Sequence, residues 1–600
     1  MVSAMTQADI EKGTSQGVGS KTVKILLLDD AVAHFPTGYD HVFSFFPNPA
    51  DSFPDSFVSW EQYREICDHT FEVLLERIKQ SSLTENFFYK DVNLLWCFKK
   101  ELFNFSADCA LRYELLSRLV SKFGPCEFHV FNEQSKKTFH LLTSLIQNSP
   151  LRDKICIQNV CPEAGHDEAS MRSGRSCSAK LWPSRFQKGK WDSSEIIIFS
   201  DFAKTKGLLP ALQRRRVAYY SDVRAPRLAL RSFRNHFSLF QADSGGHIDR
   251  ILLVKSRAFV DSLETSDLFR NFYLGQLNAK VILTNGLRAI FERTLPKLLY
   301  DIDAIDLFFK KTSFAKSALL DEDIAPTKNA FCQIAKKYGV LTYVECHGAL
   351  GENSGFTPVT ADFIFVWGNA QKEKLVGWGC PDEKIIVSGC SRYSSYRKMG
   401  QAASKKRVCR ALKLNPRKKV VLIGFPPINR KRMRFFEDKW LRIFMEVLEA
   451  VKQHSDLQYV IKIKAKSGDE LKGLSQEWIR RQGLQKSVKV VEKYDPLQLA
   501  KAADFLIVFG STLAVEGFAL GKPVIWLYDE ASAALAEFRK FKVFCYASNK
   551  DDLEKHMRLL AAGHEPSRES WATAYDECLN IKGCCDRNVI ASHLLSNHRD

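Results

Sequence analysis

Short apolar segments alternate with longer segments of helical periodicity throughout the last third of the chain. The first short segment is KKVVLIG, which begins at Lys418, and the long segment 435–454 carries apolar residues at every third or fourth position. Later short segments are QYVIKIK, SVKVV, DFLIVF, PVIWL and VFCYA. Apolar strands that alternate with helices at this spacing predict a parallel sheet connected by right-handed crossovers.

The first two thirds of the chain repeat this pattern less regularly. Its predicted strands are TVKILLLDD at 22–30, CEFHVFN, EIIIFSD, DRILLV, AKVILTN, GVLTYVECHG and ADFIFVWG. The sequence therefore predicts an α/β protein with two Rossmann-like domains, whose parallel sheets face each other across a central cleft. Ligands of such sheets bind at the carboxyl ends of the strands.

The predicted domain limits follow from composition. We expect a disordered leader over 1–21, a first domain over 22–395 with a surface insertion near 162–194, a second domain over 396–580 and a tail over 581–600. The polar segment 391–406 predicts the hinge, and the end of the chain is expected to pack back onto the first domain. The length of 600 residues suits two or three domains.

The net charge of +18 indicates an anionic partner. Nucleic acid is not expected, because no RNA-binding module, helix-turn-helix or zinc spacing is present. The basic runs within 405–419 and 430–434 suit phosphate or an anionic membrane surface. No apolar run reaches the roughly 18 residues that span a bilayer, and the N-terminus lacks a signal-peptide core. We therefore expect a cytoplasmic protein, with peripheral attachment to the inner face of the membrane left open.

The segment DFLIVFGSTLAVEGFALGKPVIWL places Gly510, Ser511 and Thr512 directly after a buried strand, and Glu516 follows in the next helix. Free amides at a helix start bind phosphate or carboxylate, which predicts a site for a phosphorylated ligand. The alternative is structural: Ser511 caps the helix and Glu516 is a solvated helix residue. The residues alone leave both open.

This segment resembles the nucleotide-sugar half of GT-B glycosyltransferases, those of bacterial capsular and surface polysaccharide synthesis above all. A second stretch, 339–393, is similar to their passage of a strand, His-Gly, a strand ending in Trp-Gly and a Gly-x-x-x-x-Lys-Ile segment. The ordered resemblance covers residues 317–587.

The resemblance implies roles for several residues of the second domain. Ser511 and Thr512, beside Gly510, would hold the phosphates of the donor, and Glu516 would contact the ribose hydroxyls. Lys462 and Lys464 would also meet phosphate. Relatives often carry His-Pro after that lysine, whereas this chain has Ala-Lys-Ser at 465–467, which weakens the assignment of this loop.

His347, after a strand of the first domain, is the candidate general base on an acceptor hydroxyl, or a cation for phosphate. Its alternative is a structural histidine beside Gly348. Asp29 and Asp30 end the first predicted strand and are a second candidate for the base, with a solvated turn as the alternative. No metal and no cofactor are expected; the nucleotide sugar is the donor substrate.

The predicted function is transfer of a sugar from a nucleotide-sugar donor to a hydroxyl of a surface polysaccharide or a lipid-linked glycan. Three alternatives stay open at this point. They are a sugar-nucleotide 2-epimerase, a polyol-phosphate transferase of teichoic-acid type, and a non-catalytic scaffold that binds glycan or membrane. One fold hosts several chemistries, so the fold does not choose among them.

Overall fold

A computed structural model describes residues 24–596 with internal gaps. The gaps of five or more residues are 29–40, 45–59, 132–140, 153–157, 161–194, 222–236, 242–249, 394–400, 426–438, 464–468, 528–537 and 581–585. Positions 347 and 510 also lie outside the described residues.

Four parallel strands near the N-terminus form a separate sheet, the N-terminal sheet. They are β1 (Lys24–Leu28), β2 (His41–Ser44), β5 (Glu127–Phe131) and β6 (Gln158–Val160), in the order β2-β1-β5-β6. Two antiparallel pairs of two-residue strands accompany it along the chain. They are β3 (Phe88–Tyr89) with β4 (Val92–Asn93), and β10 (Tyr273–Leu274) with β11 (Leu277–Asn278).

Seven parallel strands form the central sheet, in the order β15-β14-β13-β12-β7-β8-β9. They are β7 (Ile196–Phe199), β8 (Val217–Ser221), β9 (Phe237–Gln241), β12 (Ser317–Leu320), β13 (Leu341–Glu345), β14 (Phe363–Val366) and β15 (Ile385–Val387). Counted from β7, this is the dinucleotide-binding order 3-2-1-4-5-6 with one strand added.

Six parallel strands form the C-terminal sheet, in the order β18-β17-β16-β19-β20-β21. They are β16 (Val420–Gly424), β17 (Gln458–Lys462), β18 (Val488–Val491), β19 (Phe505–Val508), β20 (Val524–Leu527) and β21 (Cys545–Ala547). This is again the order 3-2-1-4-5-6. The predicted α/β class with two Rossmann-like domains is confirmed, and the N-terminal sheet is an addition to it.

Seventeen helices connect and cover these sheets in the described part of the chain. They are α1 (Trp60–Gln80), α2 (Leu83–Asn86), α3 (Leu94–Cys97), α4 (Lys99–Phe123), α5 (Leu141–Gln147), α6 (Arg250–Thr265), α7 (Lys280–Lys311), α8 (Pro326–Lys337), α9 (Asn369–Gly377), α10 (Gln401–Leu412), α11 (Lys439–Gln453), α12 (Asp469–Arg481), α13 (Pro496–Ala502), α14 (Leu513–Ala519), α15 (Lys550–Ala562), α16 (Arg568–Leu579) and α17 (Asp586–Leu595). None of the helices that the structure describes is long and apolar enough to cross a membrane.

Two predicted strands are wrong. DRILLV forms the beginning of α6, and AKVILTN forms the beginning of α7. The buried residues of α6 recur at helical spacing, which continues well past the apolar run; they are Leu252, Ser256, Val260 and Leu263. A short apolar run does not by itself distinguish a strand from a buried helix segment.

The end of the chain packs back onto the central sheet, as predicted. The Ser317 hydroxyl donates to the carbonyl of Leu594 in α17 at 2.6 Å, and the Tyr343 hydroxyl donates to the carbonyl of His593 at 3.3 Å. In α16, Glu577 brings its carbonyl so close to Gly368 that an added Cβ would lie 2.2 Å away. The last two helices therefore tie the C-terminal part of the chain to the central sheet.

Candidate functional site

The strand order of the C-terminal sheet reverses between β16 and β19, and we call their carboxyl ends the C-terminal switch point. Open α/β sheets bind ligands outside such a point. At the end of β16, an added Cβ on Gly424 would lie 2.5 Å from Cδ2 of Leu513. The Leu513 side chain at the beginning of α14 thus packs directly on β16, and it would have to move if residue 424 carried a Cβ.

Ser511 and Thr512 precede α14 at this switch point. The half-buried Ser511 accepts a hydrogen bond at its Oγ from the amide of Leu513 at 3.3 Å. Thr512 is exposed and makes no capping bond with its side chain. Ser511 therefore contributes to the start of the helix, through a bond at the long end of the usual range, whereas the Thr512 hydroxyl faces solvent.

Glu516 is the one ionisable residue of α14, all of whose residues are buried. Its side chain is not solvated, contrary to the structural alternative. Only 9% of the residue is exposed, and Oε2 has no hydrogen-bond partner among the residues that the structure describes. Burial raises the pKa of Glu516, the positive charge of Arg392 partly offsets this, and Asp495 raises it further. A buried carboxylate oxygen without a partner is unfavourable, and such groups call for an explanation.

Lys462 ends β17 and is already engaged by the backbone. Its Nζ donates to the carbonyls of Ile463 at 2.8 Å and Glu492 at 2.6 Å. Burial lowers the pKa of Lys462, against the raising effects of Glu492 and Asp495. These contacts give the ammonium group a structural role at the end of β17.

The strand order of the central sheet reverses between β7 and β12, and we call their carboxyl ends the central switch point. A small cavity lies there, with an opening to solvent. Its lining combines hydroxyl, carboxylate, thiol and guanidinium groups from Ser200, Thr205, Asp321, Glu345, Cys346, Cys390 and Arg392. Burial raises the pKa of the Cys390 thiol to about 12, so this thiol stays neutral at pH 7 and is not an activated nucleophile.

Glu345 is the last residue of β13 and is 6% exposed. Its Oε1 accepts a hydrogen bond from the amide of Ser391 at 3.0 Å. Burial raises the pKa of Glu345; hydrogen bonding by Ser391 and the charge of Arg392 oppose this, and Asp321 adds to it. Glu345 is thus a positioned carboxyl group that holds a proton more readily than an exposed one.

Asp321 follows β12 and is 3% exposed. It forms an ion pair with Lys328 of α8 at 2.5 Å, and Glu322 also contacts Lys328 at 3.2 Å. Although burial lowers the pKa of Lys328, these two carboxylates raise it overall. Two buried carboxyl groups, Asp321 and Glu345, therefore share one cavity in different electrostatic surroundings. Within the described ranges, no group of three or more His, Cys, Asp and Glu side chains is placed to hold a metal ion.

Arg392 connects the two switch points electrostatically. It lines the cavity of the central sheet, and its charge acts on both Glu345 and Glu516. Its guanidinium group lies 5.1 Å from the centre of the Tyr393 ring and donates to the Tyr393 hydroxyl at 3.0 Å. The charge of Arg392 therefore acts on a carboxyl group at each of the two switch points.

From the sequence we expected Arg392 in the hinge. The sequence did not lead us to Arg392, Asp321 or Glu345 as site residues. Each lies at or shortly after the carboxyl end of a strand of a parallel sheet: Glu345 ends β13, Asp321 follows β12 directly, and Arg392 lies five residues after β15. This position is the signal that would have found them.

Five predicted site residues lie outside the described residues, so their roles stay predictions. They are His347, Asp29, Asp30, Lys464 and Gly510. Cys346, which precedes His347, lines the cavity of the central switch point. The strand before Asp29 is β1, which belongs to the N-terminal sheet and not to the central sheet.

Part of the basic run at 405–419 serves the structure. Lys405 forms an ion pair with Asp504 at 2.7 Å, Arg407 donates to the Gln498 side chain at 2.5 Å, and Lys419 donates to the Leu560 carbonyl at 3.1 Å. The second basic run, 430–434, lies outside the described residues.

No family model matches this sequence, and no curated protein matches it. Similar solved structures include a glycosyltransferase from Rickettsia africae, 12% identical, with a TM-score of 0.42 over 67% of this chain and 99% of that chain. A UDP-GlcNAc 2-epimerase from Neisseria meningitidis bound to UDP-GlcNAc is 14% identical, with a TM-score of 0.43 over 67% and 99%. The wall teichoic acid polymerase TagF is 12% identical, with a TM-score of 0.39 over 67% and 88%. Identities and TM-scores this low carry no argument about the reaction of this chain.

Proposed function

We propose that the protein is a glycosyltransferase that moves a sugar from a nucleotide-sugar donor to a hydroxyl of a surface polysaccharide or a lipid-linked glycan. The observation that carries the proposal is the buried, unpartnered Oε2 of Glu516 at the C-terminal switch point. A carboxylate in this position is ready to accept hydrogen bonds from a polyhydroxylated ligand. The resemblance of residues 317–587 to GT-B glycosyltransferases supports a ribose as that ligand.

In this proposal the donor occupies the C-terminal switch point. Glu516 accepts from the ribose hydroxyls, and the hydroxyls of Ser511 and Thr512, with the amide of Gly510, contact the donor phosphates. Lys464 supplies positive charge, while Lys462 supports the loop through its two backbone carbonyls. Arg392 adds a cation between the two switch points, where negative charge develops on the leaving phosphate.

The acceptor then enters from the side of the central sheet, whose cavity offers hydroxyl and carboxyl groups. His347, adjacent to Cys346 of this cavity, is proposed as the base that removes the proton of the acceptor hydroxyl. Asp29 and Asp30 are the second candidate. Most of the rate enhancement comes from orientation of the two substrates and from stabilisation of the leaving phosphate.

A second candidate, sugar-nucleotide 2-epimerase activity, is favoured by one observation. Asp321 and Glu345 share the cavity, and their different surroundings suit a base and an acid acting on one sugar. Epimerisation at C2 breaks the C2–H bond, so solvent hydrogen enters the product. It requires no acceptor.

The test begins with a thermal-shift screen against CMP, CDP, UDP and GDP sugars, since ligands that bind only the folded state raise its melting temperature. The donor found is then incubated in D₂O with and without glycan acceptors. The transferase predicts free nucleotide only when an acceptor is present and no deuterium at C2. Incorporation of deuterium at C2 without an acceptor would contradict the transferase and establish the epimerase. Tight nucleotide binding without any turnover would instead support a non-catalytic scaffold.

A further inference from the structure

Three large aliphatic side chains of α6 are exposed. Ile251 is 64% exposed, Val254 62% and Leu253 49%. The opposite side of α6 packs on α7 through the buried residues that include Leu252 and Val260. Exposed apolar residues that occur singly are normal, whereas adjoining ones form a patch, and patches mark interaction sites. Ile251 and Val254 adjoin at helical spacing, while Leu253 lies on the opposite edge of the exposed side, in line with the buried Val260.

Basic residues flank these aliphatic side chains. Arg250, Lys255 and Arg257 are exposed, and no acidic residue occurs between Arg250 and Val260. Within the described part of the chain, Arg250 and Arg257 have no ion-pair partner, and Lys255 lies 5.2 Å from the centre of the Tyr89 ring. We call Arg250, Ile251, Val254, Lys255 and Arg257 the α6 patch.

The second half of α6 carries acidic residues, and these form ion pairs with α7. Its acidic residues Asp261 and Glu264 both pair with Arg288 of α7, at 3.2 Å in the case of Asp261. Arg288 also pairs with Glu292 at 3.2 Å, so this one positive charge compensates the acidic residues of α6 only in part. Among the described residues, the basic residues of the α6 patch have no carboxylate within ion-pair distance.

Helical geometry places the exposed aliphatic side chains Ile251 and Val254 between the basic residues. Ile251 and Val254 are three positions apart, so they adjoin on the exposed side. Arg250 and Arg257 lie on one flank of this pair, and Lys255 lies on the other. A helix with an apolar stripe between two rows of cations is suited to lie in the plane of a membrane interface, with its cations on the lipid headgroups.

We propose that the α6 patch docks the protein on an anionic lipid surface. The aliphatic side chains enter the boundary between headgroups and acyl chains, and the three basic residues contact anionic headgroups. A second copy of the chain is a weaker candidate, since two helical turns cover far less than the roughly 800 Å² per partner of a stable interface. Nucleic acid would use the cations but not the aliphatic side chains. The inference stands on the geometry of α6 and is independent of the proposed reaction.

The test is cosedimentation of the full chain with vesicles of phosphatidylcholine alone and with added phosphatidylglycerol. Two double variants remove either component: Ile251→Gln with Val254→Gln, and Arg250→Gln with Arg257→Gln. Each should reduce binding to anionic vesicles at least roughly tenfold, because both the apolar and the electrostatic contributions are needed. Glutamine keeps good helix propensity, and unchanged circular dichroism and nucleotide-induced thermal shift show that the fold and the donor site are intact.

Matched controls come from isolated residues of other helices. Val281→Gln with Leu307→Gln replaces aliphatic side chains that are 50% and 43% exposed, and Arg480→Gln with Arg481→Gln replaces exposed basic residues of α12. Both controls should bind vesicles like the parent. The proposal is overturned if the parent does not bind anionic vesicles, if the α6 double variants bind as well as the parent, or if light scattering shows a dimer that only the α6 variants abolish.

Discussion

The central sheet and the C-terminal sheet follow the same strand order but carry different groups where that order reverses. At the central switch point the carboxyl groups already have protein partners, since Glu345 accepts from the Ser391 amide and Asp321 pairs with Lys328. At the C-terminal switch point, Glu516 is buried in an apolar helix and Oε2 has no partner.

From this difference we infer which half of the proposed site a ligand completes. A carboxylate with its partners in place is preorganised before any substrate arrives, which suits chemistry. A buried carboxylate without a partner is destabilising until a donor of hydrogen bonds arrives, which suits binding. We therefore assign chemistry to the central switch point and donor binding to the C-terminal one.

The largest expected effect is that of a substitution at His347, the proposed base. His347→Asn keeps the size and hydrogen bonding of the side chain but removes its basicity, and turnover should fall by about two to four orders of magnitude. Donor affinity should change little, because the donor is held by the other sheet. Single-turnover kinetics at saturating donor is the measurement.

The matched variant at the central switch point is Glu345→Gln. If the proton of an acceptor hydroxyl is taken by His347, Glu345→Gln retains most of the turnover that His347→Asn loses. A collapse of turnover in Glu345→Gln, with little loss in His347→Asn, would move the chemistry to the buried carboxyl groups and support the epimerase.

A smaller effect is expected at Lys462. Lys462→Met leaves the carbonyls of Ile463 and Glu492 without their donor and should lower the free energy of unfolding by about 1 to 2 kcal/mol. Nucleotide affinity should stay within about threefold of the parent, which is under 1 kcal/mol. Chemical denaturation and calorimetry measure the two quantities. The exposed Lys486→Met is the control, and a large loss of affinity with normal stability would place Lys462 on the donor phosphate instead.

The smallest effect concerns pH. The pKa of Glu516 in the folded state lies above its ordinary value of 4.5 because of burial. Above 4.5 the unfolded chain loses this proton while the folded chain keeps it, so stability falls as pH rises through the interval between the two pKa values. The Glu516→Gln variant lacks this titration. The melting temperature of Glu516→Gln minus that of the parent should therefore increase as the pH rises from about 4 to about 7.

Glu477 is the control of opposite sign. Hydrogen bonds from Arg480 and Arg481 lower the pKa of the exposed Glu477 to about 2. Its contribution to stability is present above 4.5 and is lost as the pH falls toward 2. Glu477→Gln should thus differ from the parent at neutral pH and converge with it in acid. The same pH trend in both variants would contradict the buried state of Glu516.

All six strands of the C-terminal sheet were predicted, because they are short apolar runs and helical periods separate the first five of them. The strands of the first half were harder to predict. DRILLV and AKVILTN begin long helices instead, because the buried positions of α6 and α7 continue at helical spacing beyond these apolar runs. The N-terminal sheet also separates from the central sheet, which no local pattern indicates. Pairing between strands is a long-range property that periodicity does not encode.

The candidate site was predicted in part. The position of Glu516 after β19 followed from the motif, but its burial did not, because that depends on how α14 packs on β16 near Gly424. Arg392, Asp321 and Glu345 come together from three separate segments, and only the strand order of the central sheet brings them to one place.

The central claim is that Glu516 binds the donor, and isothermal titration calorimetry of the donor nucleotide sugar with the parent and with Glu516→Gln tests it most directly. The account predicts that Glu516→Gln weakens the affinity by about 1 to 3 kcal/mol, the size of hydrogen bonds to a charged group, while the unliganded variant is at least as stable as the parent at pH 7. An affinity equal to that of the parent for every nucleotide sugar that binds would contradict the assignment.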